Sequence, residues 1–133
     1  MSHVLFAYLP SGYKEQKQVV EDIKSLFSAH VKFYERIEEN PFTGDAIQQL
    51  VLDSNYVISV SLESGEEVSQ AAGSLGILSG KEVSVIRVVF GDDIEEAYED
   101  IEIIIYEYLE ALDNVVIYSP NQQKIIFNAI NEG

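Results

Sequence analysis

The sequence predicts one α/β domain, spanning residues 1–133, built around a parallel β-sheet. Three observations support this. A length of 133 residues with 47% hydrophobic content suits a single domain with one core. Strand-length apolar runs alternate five times with helical patterns, which is typical of parallel sheets covered by helices. Residues 55–89 read as strand, polar loop, helix and strand, and such a βαβ unit joins parallel strands.

The first half of the chain contains two predicted βα units. Residues 4–9 form a continuous apolar run, which indicates a buried strand. Residues 14–28 place their apolar side chains on one helical stripe and predict an amphipathic helix. Residues 31–37 alternate apolar and charged side chains, as an edge strand does. A short helix is then predicted from Thr43 or Gly44, carrying Ile47, Leu50 and Val51.

The second half contains three more units. Residues 56–61, 83–90 and 115–118 are predicted strands. Ser64 and Glu67 have the spacing of a capping box that opens a helix over residues 66–79. A long helix is predicted over residues 94–112, and Pro120 suits the first position of a terminal helix. With an edge-like second strand, these five units predict the strand order 2-1-3-4-5 of the flavodoxin-like three-layer sandwich.

Composition excludes several kinds of chemistry. The chain has no cysteine, so disulfides, thiol nucleophiles and thiolate metal sites are excluded. His3 and His30 lie far apart, and no metal site is expected. There is neither a glycine-rich phosphate fingerprint nor a Walker loop, and no cofactor is expected. Apolar runs are of strand length, and the first residues lack a basic signal region. A soluble cytoplasmic protein without membrane contact is therefore predicted.

The net charge of −15 makes nucleic acid an unsuitable partner, because phosphates would be repelled. Ten of the acids lie between Asp92 and Asp113, in a stretch without Lys or Arg. One interpretation is a solvated helix face. The other is a docking surface for a basic protein partner, and Ile103 and Tyr106 add apolar positions there that would also suit a homodimer.

The predicted strand order also indicates a ligand site, because open α/β sheets bind ligands where the strand order reverses. The predicted ligand-binding residues near that point are Tyr8, Ser11, Gly12, Tyr13, Asn55 and Ser64. Asp45, Glu66 and Glu67 are the candidate catalytic carboxylates. Three of these residues have structural alternatives. Tyr8 can be half core, Asp45 can stabilise the first turn of its helix, and Glu67 can belong to the capping box.

Several segments resemble the nucleoside 2-deoxyribosyltransferases and the related TIR-like domains. The matching pieces are Tyr8-Leu9-Pro10-Ser11-Gly12, Asp45, Ser54-Asn55-Tyr56-Val57-Ile58, Glu63-Ser64-Gly65 and Gly80-Lys81-Glu82-Val83. The chain departs from those transferases in having Asn55 where they carry aspartate. It also has Ser69, Gln70, Ala71 and Ala72 where they carry the nucleophilic glutamate.

The resemblance implies a domain that recognises a nucleoside or nucleotide, with weak or no activity at the N-glycosidic bond. Asp45 would orient the sugar, and Glu66 or Glu67 would act as nucleophile or acid/base. Tyr8 or Tyr13 would stack on the base. Two alternatives remain: an acidic interaction or inhibitor domain that uses the surface of the helix 94–112, and a TIR-like enzyme that cleaves NAD.

Overall fold

One sheet of seven strands and three helices make up the described part of the chain. The computed structural model describes residues 3–12, 15–29, 32–39, 41–42, 44, 46–53, 56–77, 82–91 and 99–129. In chain order the elements are β1 His3–Pro10, α1 Gln16–Phe27, β2 Tyr34–Glu39, β3 Ala46–Asp53, β4 Tyr56–Ser64, α2 Glu66–Ser74, β5 Val83–Phe90, α3 Glu99–Glu110, β6 Val116–Ser119 and β7 Lys124–Asn128.

The sheet is antiparallel, so the predicted five-stranded parallel, flavodoxin-like sandwich is wrong. Its strand order is β2-β3-β4-β5-β1-β6-β7, and every neighbouring pair runs antiparallel. The helices α1 and α3 do connect strands that point the same way. However, β3, β4 and β5 lie between β1 and β2, and β1 lies between β5 and β6. Strands and helices alternate only in part, because β2, β3 and β4 follow one another without a helix, and no two parallel strands are neighbours in the described sheet.

Two predicted helices are strands. Ile47, Leu50 and Val51 have helical spacing, but they lie in β3, where Leu50 and Val51 face opposite sides of the sheet and are both buried. The predicted terminal helix is β7, which pairs with β6 in a hairpin. The Ser119 hydroxyl accepts a hydrogen bond from the Gln122 N–H at 3.2 Å. The residues 119–122, whose pattern resembles a helix start, therefore form a β-turn. Serine is common both at helix starts and in turns.

The main core lies between the sheet and the helices α1 and α3. Ile23 of α1 and Ile105 and Leu109 of α3 are fully buried against sheet residues such as Ile58 and Ile86. Residues that alternate with these along the strands face the other side of the sheet. There Tyr8, Val83, Val85 and Val116 pack against Ala72 and Ile77, which belong to α2 and the turn after it.

Only α2, a helix of nine residues, covers this second face among the described elements. It begins beside the end of β4 and leaves the middle of β4 and β5 uncovered. At the sheet edge, all six residues of β2 are exposed, which agrees with the predicted edge strand. No helix in the described ranges is long and apolar enough to span a membrane.

Candidate functional site

An open cleft lies on the second face of the sheet, between the uncovered strands and the start of α2. Its volume is about 750 Å³, which falls within the range of roughly 300–1,000 Å³ that small-molecule sites occupy. Phe6, Tyr8, Val85 and Arg87 form its floor because they are side chains of β1 and β5 that point to this face. The cleft exists because α2 is too short to cover the strands completely.

Arg87 is the central polar residue of the cleft floor. It lies opposite Phe6 of β1 and Ser61 of β4 in the strand register, so all three side chains share one face. Its Nη2 donates to the Glu63 carboxylate at 2.9 Å, and its guanidinium carbon lies 5.0 Å from the centre of the Phe6 ring. Arg87 Nε is buried and has no hydrogen-bond partner among the described residues. The ion pair and the ring contact together hold the guanidinium in one orientation.

Tyr8 is the most buried aromatic residue of the cleft floor, with 4% of its surface exposed. Its ring meets the Phe6 ring edge to face, with centroids 6.3 Å apart. Burial raises the pKa of the Tyr8 hydroxyl above 10.0, and the nearby positive charge of Arg87 partly opposes that shift. The structural alternative for Tyr8 is therefore correct in part, because the ring belongs to the smaller core as well as to the cleft.

The start of α2 forms the wall of the cleft, and it does not contain the predicted capping box. The N-cap is Gly65, with φ of 121°, a conformation that favours glycine, and no side chain in the described residues caps the helix. Ser64 is the last residue of β4 instead. Glu66 and Glu67 occupy the first turn, where the helix dipole favours negative charge. Both carboxylate-bearing residues line the cleft, and the Gln70 side chain donates to Glu66 at 3.2 Å.

A second, smaller cavity of about 240 Å³ adjoins the cleft. The residues shared by both cavities include Glu63, Arg87 and Gln16, so the ion pair lies at the boundary. Gln16, the first residue of α1, bridges the ends of β3 and β4. Its amide nitrogen donates to the Ala46 carbonyl at 3.2 Å, and its oxygen accepts from the Leu62 N–H at 3.1 Å. The bridge keeps these strand ends together beside the cavities.

The structure brings four of the predicted site residues to the cleft: Tyr8, Ser64, Glu66 and Glu67. It places two others elsewhere. Ser11 and Gly12 form the exposed turn after β1, and the Ser11 hydroxyl accepts a hydrogen bond from Ser84, whose side chain points to the α1 and α3 face. The remaining three, Tyr13, Asp45 and Asn55, lie outside the described residues.

Sequence reasoning did not identify Phe6, Gln16 or Arg87, and it treated Glu63 only as part of a loop. One signal for Arg87 was available. It is the only charged residue in the strand Val83–Phe90, whose other residues are apolar except Ser84. A charged side chain inside such a strand requires a partner, and Glu63 on the neighbouring strand provides it. The partnership itself depends on the β4–β5 register, which the sequence does not show.

The predicted acidic surface is described only from Glu99 onward, where α3 covers the opposite side of the sheet. Glu99, Asp100 and Glu107 are exposed, and Ile103 among them is 48% exposed. Tyr106 is half-buried against the main core. In the described part of the chain, no three His, Asp or Glu residues are grouped in a way that could hold a metal ion.

Comparison with known proteins gives no match to a family model, to a curated protein or to a solved structure. The fold and the cleft nevertheless define the structural class of the protein. This is an antiparallel α+β domain with a ligand-sized cleft on the partly covered face of its sheet.

Proposed function

We propose that the domain binds a small molecule in the cleft, and that this ligand is a nucleoside. One observation carries the proposal. Aromatic rings, a guanidinium and carboxylates line a single cleft of about 750 Å³, in which Tyr8, Phe6 and Arg87 form the floor and Glu66 and Glu67 belong to the wall. The α2 wall is close enough to the floor for one molecule to contact both.

The chemistry of the cleft suits the two parts of a nucleoside. Flat rings and the guanidinium plane of arginine are the surfaces on which proteins stack bases. Arg87 is 41% exposed and held against Phe6, so a base can contact it without first ordering the side chain. Carboxylates accept hydrogen bonds from sugar hydroxyls, as an acidic residue does for the ribose in dinucleotide sites. Glu66 and Glu67 provide such acceptors.

Binding can be tested by calorimetry with a panel of ribonucleosides and deoxynucleosides. Phe6→Leu removes the ring that supports Arg87. Because base stacking is worth about 1–3 kcal/mol, we expect roughly 5- to 150-fold weaker binding. Glu66→Gln and Glu67→Gln remove negative acceptors and should weaken binding by smaller factors. Glu107→Gln is the matched control, since Glu107 is an exposed acid on the opposite side of the sheet.

The same samples can be analysed for released base by chromatography. Release that the Glu66 or Glu67 variant abolishes would add N-glycosidic chemistry to the binding function. The proposal fails if no nucleoside binds to the unmodified protein. It also fails if Phe6→Leu and Glu107→Gln bind equally well.

A further inference from the structure

The charges around the cleft are unbalanced, and this limits the ligands that it can accept. The charged residues described in the cleft lining are Glu63, Glu66, Glu67 and Arg87, whose formal charges sum to −2. The start of α2 contributes about +0.5 of an elementary charge. The sum is still about −1.5, so the helix dipole does not reverse the sign.

Arg87 offers a phosphate only part of its guanidinium. Its Nη2 donates to Glu63 at 2.9 Å, and its guanidinium carbon lies 5.0 Å from the centre of the Phe6 ring. Arg87 Nε has no hydrogen-bond partner among the described residues, but this atom is buried, so a ligand in the cleft has no direct access to it. A phosphate bound to the remaining N–H groups would lie beside the Glu63 carboxylate, which would repel it.

The uncharged polar groups of the smaller cavity also favour a ligand without phosphate. It is lined by Ser59, Ser61 and Gln49, and Glu63 and Arg87 are the only charged residues described there. The Gln49 amide is already hydrogen-bonded to Arg36 at 2.7 Å and lies 3.4 Å from the Ser59 hydroxyl. The Ser59 and Ser61 hydroxyls suit the hydroxyls of a sugar, and they do not neutralise a phosphate.

From this charge pattern we infer that the cleft selects unphosphorylated nucleosides and rejects their phosphate esters. The inference rests on the proposed nucleoside function and specifies its ligand class. A phosphate monoester carries about −1.5 to −2 charges at pH 7. It would enter a cleft that is itself negative, on a chain of net charge −15. A nucleoside has the same base and sugar without this repulsion, and its 5′-hydroxyl can donate to a carboxylate.

The test compares each nucleoside with its own 5′-monophosphate by calorimetry, in buffers of about 50 mM and about 500 mM salt. We expect the monophosphate to bind at least about tenfold more weakly at low salt. Salt should reduce this ratio because it screens the repulsion. The double variant Glu66→Gln/Glu67→Gln should reduce the ratio as well, whereas the control Glu107→Gln should leave it unchanged.

The possible outcomes separate the two proposals. Equal or tighter binding of the monophosphate would overturn the charge selection and leave nucleoside binding intact. A ratio that is unchanged in the double variant would also overturn it, since the carboxylates would then not cause the selection. If neither molecule binds, the proposed function itself fails.

Discussion

Replacing Gln16 by alanine tests whether a side chain completes the sheet beside the cleft. In the β3–β4 pairing, Gln48 lies opposite Val60, and the same register continued by two residues would place Ala46 opposite Leu62. The Gln16 carboxamide instead lies between these two residues, with bonds of 3.2 Å to the Ala46 carbonyl and 3.1 Å from the Leu62 N–H. Gln16→Ala removes both bonds and keeps the helix.

The expected loss of stability follows from these two bonds. A net hydrogen bond contributes about 0.5–1.5 kcal/mol, so two contribute about 1–3 kcal/mol. The lower half of that range is expected because the cleft beside Leu62 admits water, which can replace the lost partners. A loss of about 1–2 kcal/mol corresponds to a decrease in Tm of roughly 3–8 °C for a domain of this size.

Urea denaturation and thermal unfolding followed by circular dichroism measure this loss. Gln18→Ala is the matched control, because Gln18 lies on the same helix, is exposed and, among the described residues, bonds only to Asp22, four residues away. Such a pair contributes about 0.2–0.5 kcal/mol. Gln16→Glu should fall between wild type and Gln16→Ala, since it keeps the acceptor for Leu62 and loses the donor to Ala46. If Gln16→Ala is no less stable than Gln18→Ala, the bridge contributes nothing and this reasoning is refuted.

Three further predictions concern two glycines and a tyrosine. Gly73→Ala should stabilise the protein by about 1 kcal/mol, because alanine favours the helix α2 and its Cβ would meet no described atom within 4 Å beyond the backbone of that helix. Gly91→Ala should destabilise it by about 1–3 kcal/mol, since its Cβ would lie 3.1 Å from the Val57 nitrogen. If the urea midpoints of the two glycine variants shift in the same direction, these expectations are contradicted. The raised pKa of Tyr8 means that the folded state holds this proton more tightly. Its contribution to stability is therefore complete below pH 10.0 and is lost as pH rises through the folded pKa. Tyr8→Phe should accordingly lose less stability than wild type between about pH 8 and about pH 11, and equal losses would refute the effect.

Local patterns predicted most of the elements. Periodic apolar side chains indicated the helices α1 and α3, and apolar runs indicated β1, β4, β5 and β6. These signals suffice because each element buries one stripe or face of its own residues. The pattern failed for β3, where Ile47, Leu50 and Val51 satisfy both helical spacing and strand burial. Short apolar segments cannot be distinguished by period alone.

Some residues of the candidate cleft were also predicted from the sequence, although the predicted sheet was wrong. Tyr8 at the end of β1 and Ser64 at the end of β4 were expected at the same edge. They are close to one cleft because β1 and β4 both run antiparallel to β5, and so point the same way. Placing Tyr8 and Ser64 at the same edge required only that β1 and β4 run in the same direction. Ser11 lies away from the cleft because it follows the alternation of Ala7 and Leu9, whose side chains face α1 and α3, and its hydroxyl accepts from Ser84 on that side.

By itself, the sequence determined the composition of the protein: a net charge of −15, no cysteine, and enough apolar residues for one core. It also determined most of the helices and strands, because their signals are local. Tertiary structure alone decided the strand order, the antiparallel pairing and the contact between Arg87, Glu63 and Phe6. The pairing of Tyr8 with Val85 joins residues that are far apart in the chain. Strand direction depends on such long-range hydrogen bonds, which leave no local pattern in the residues that form them.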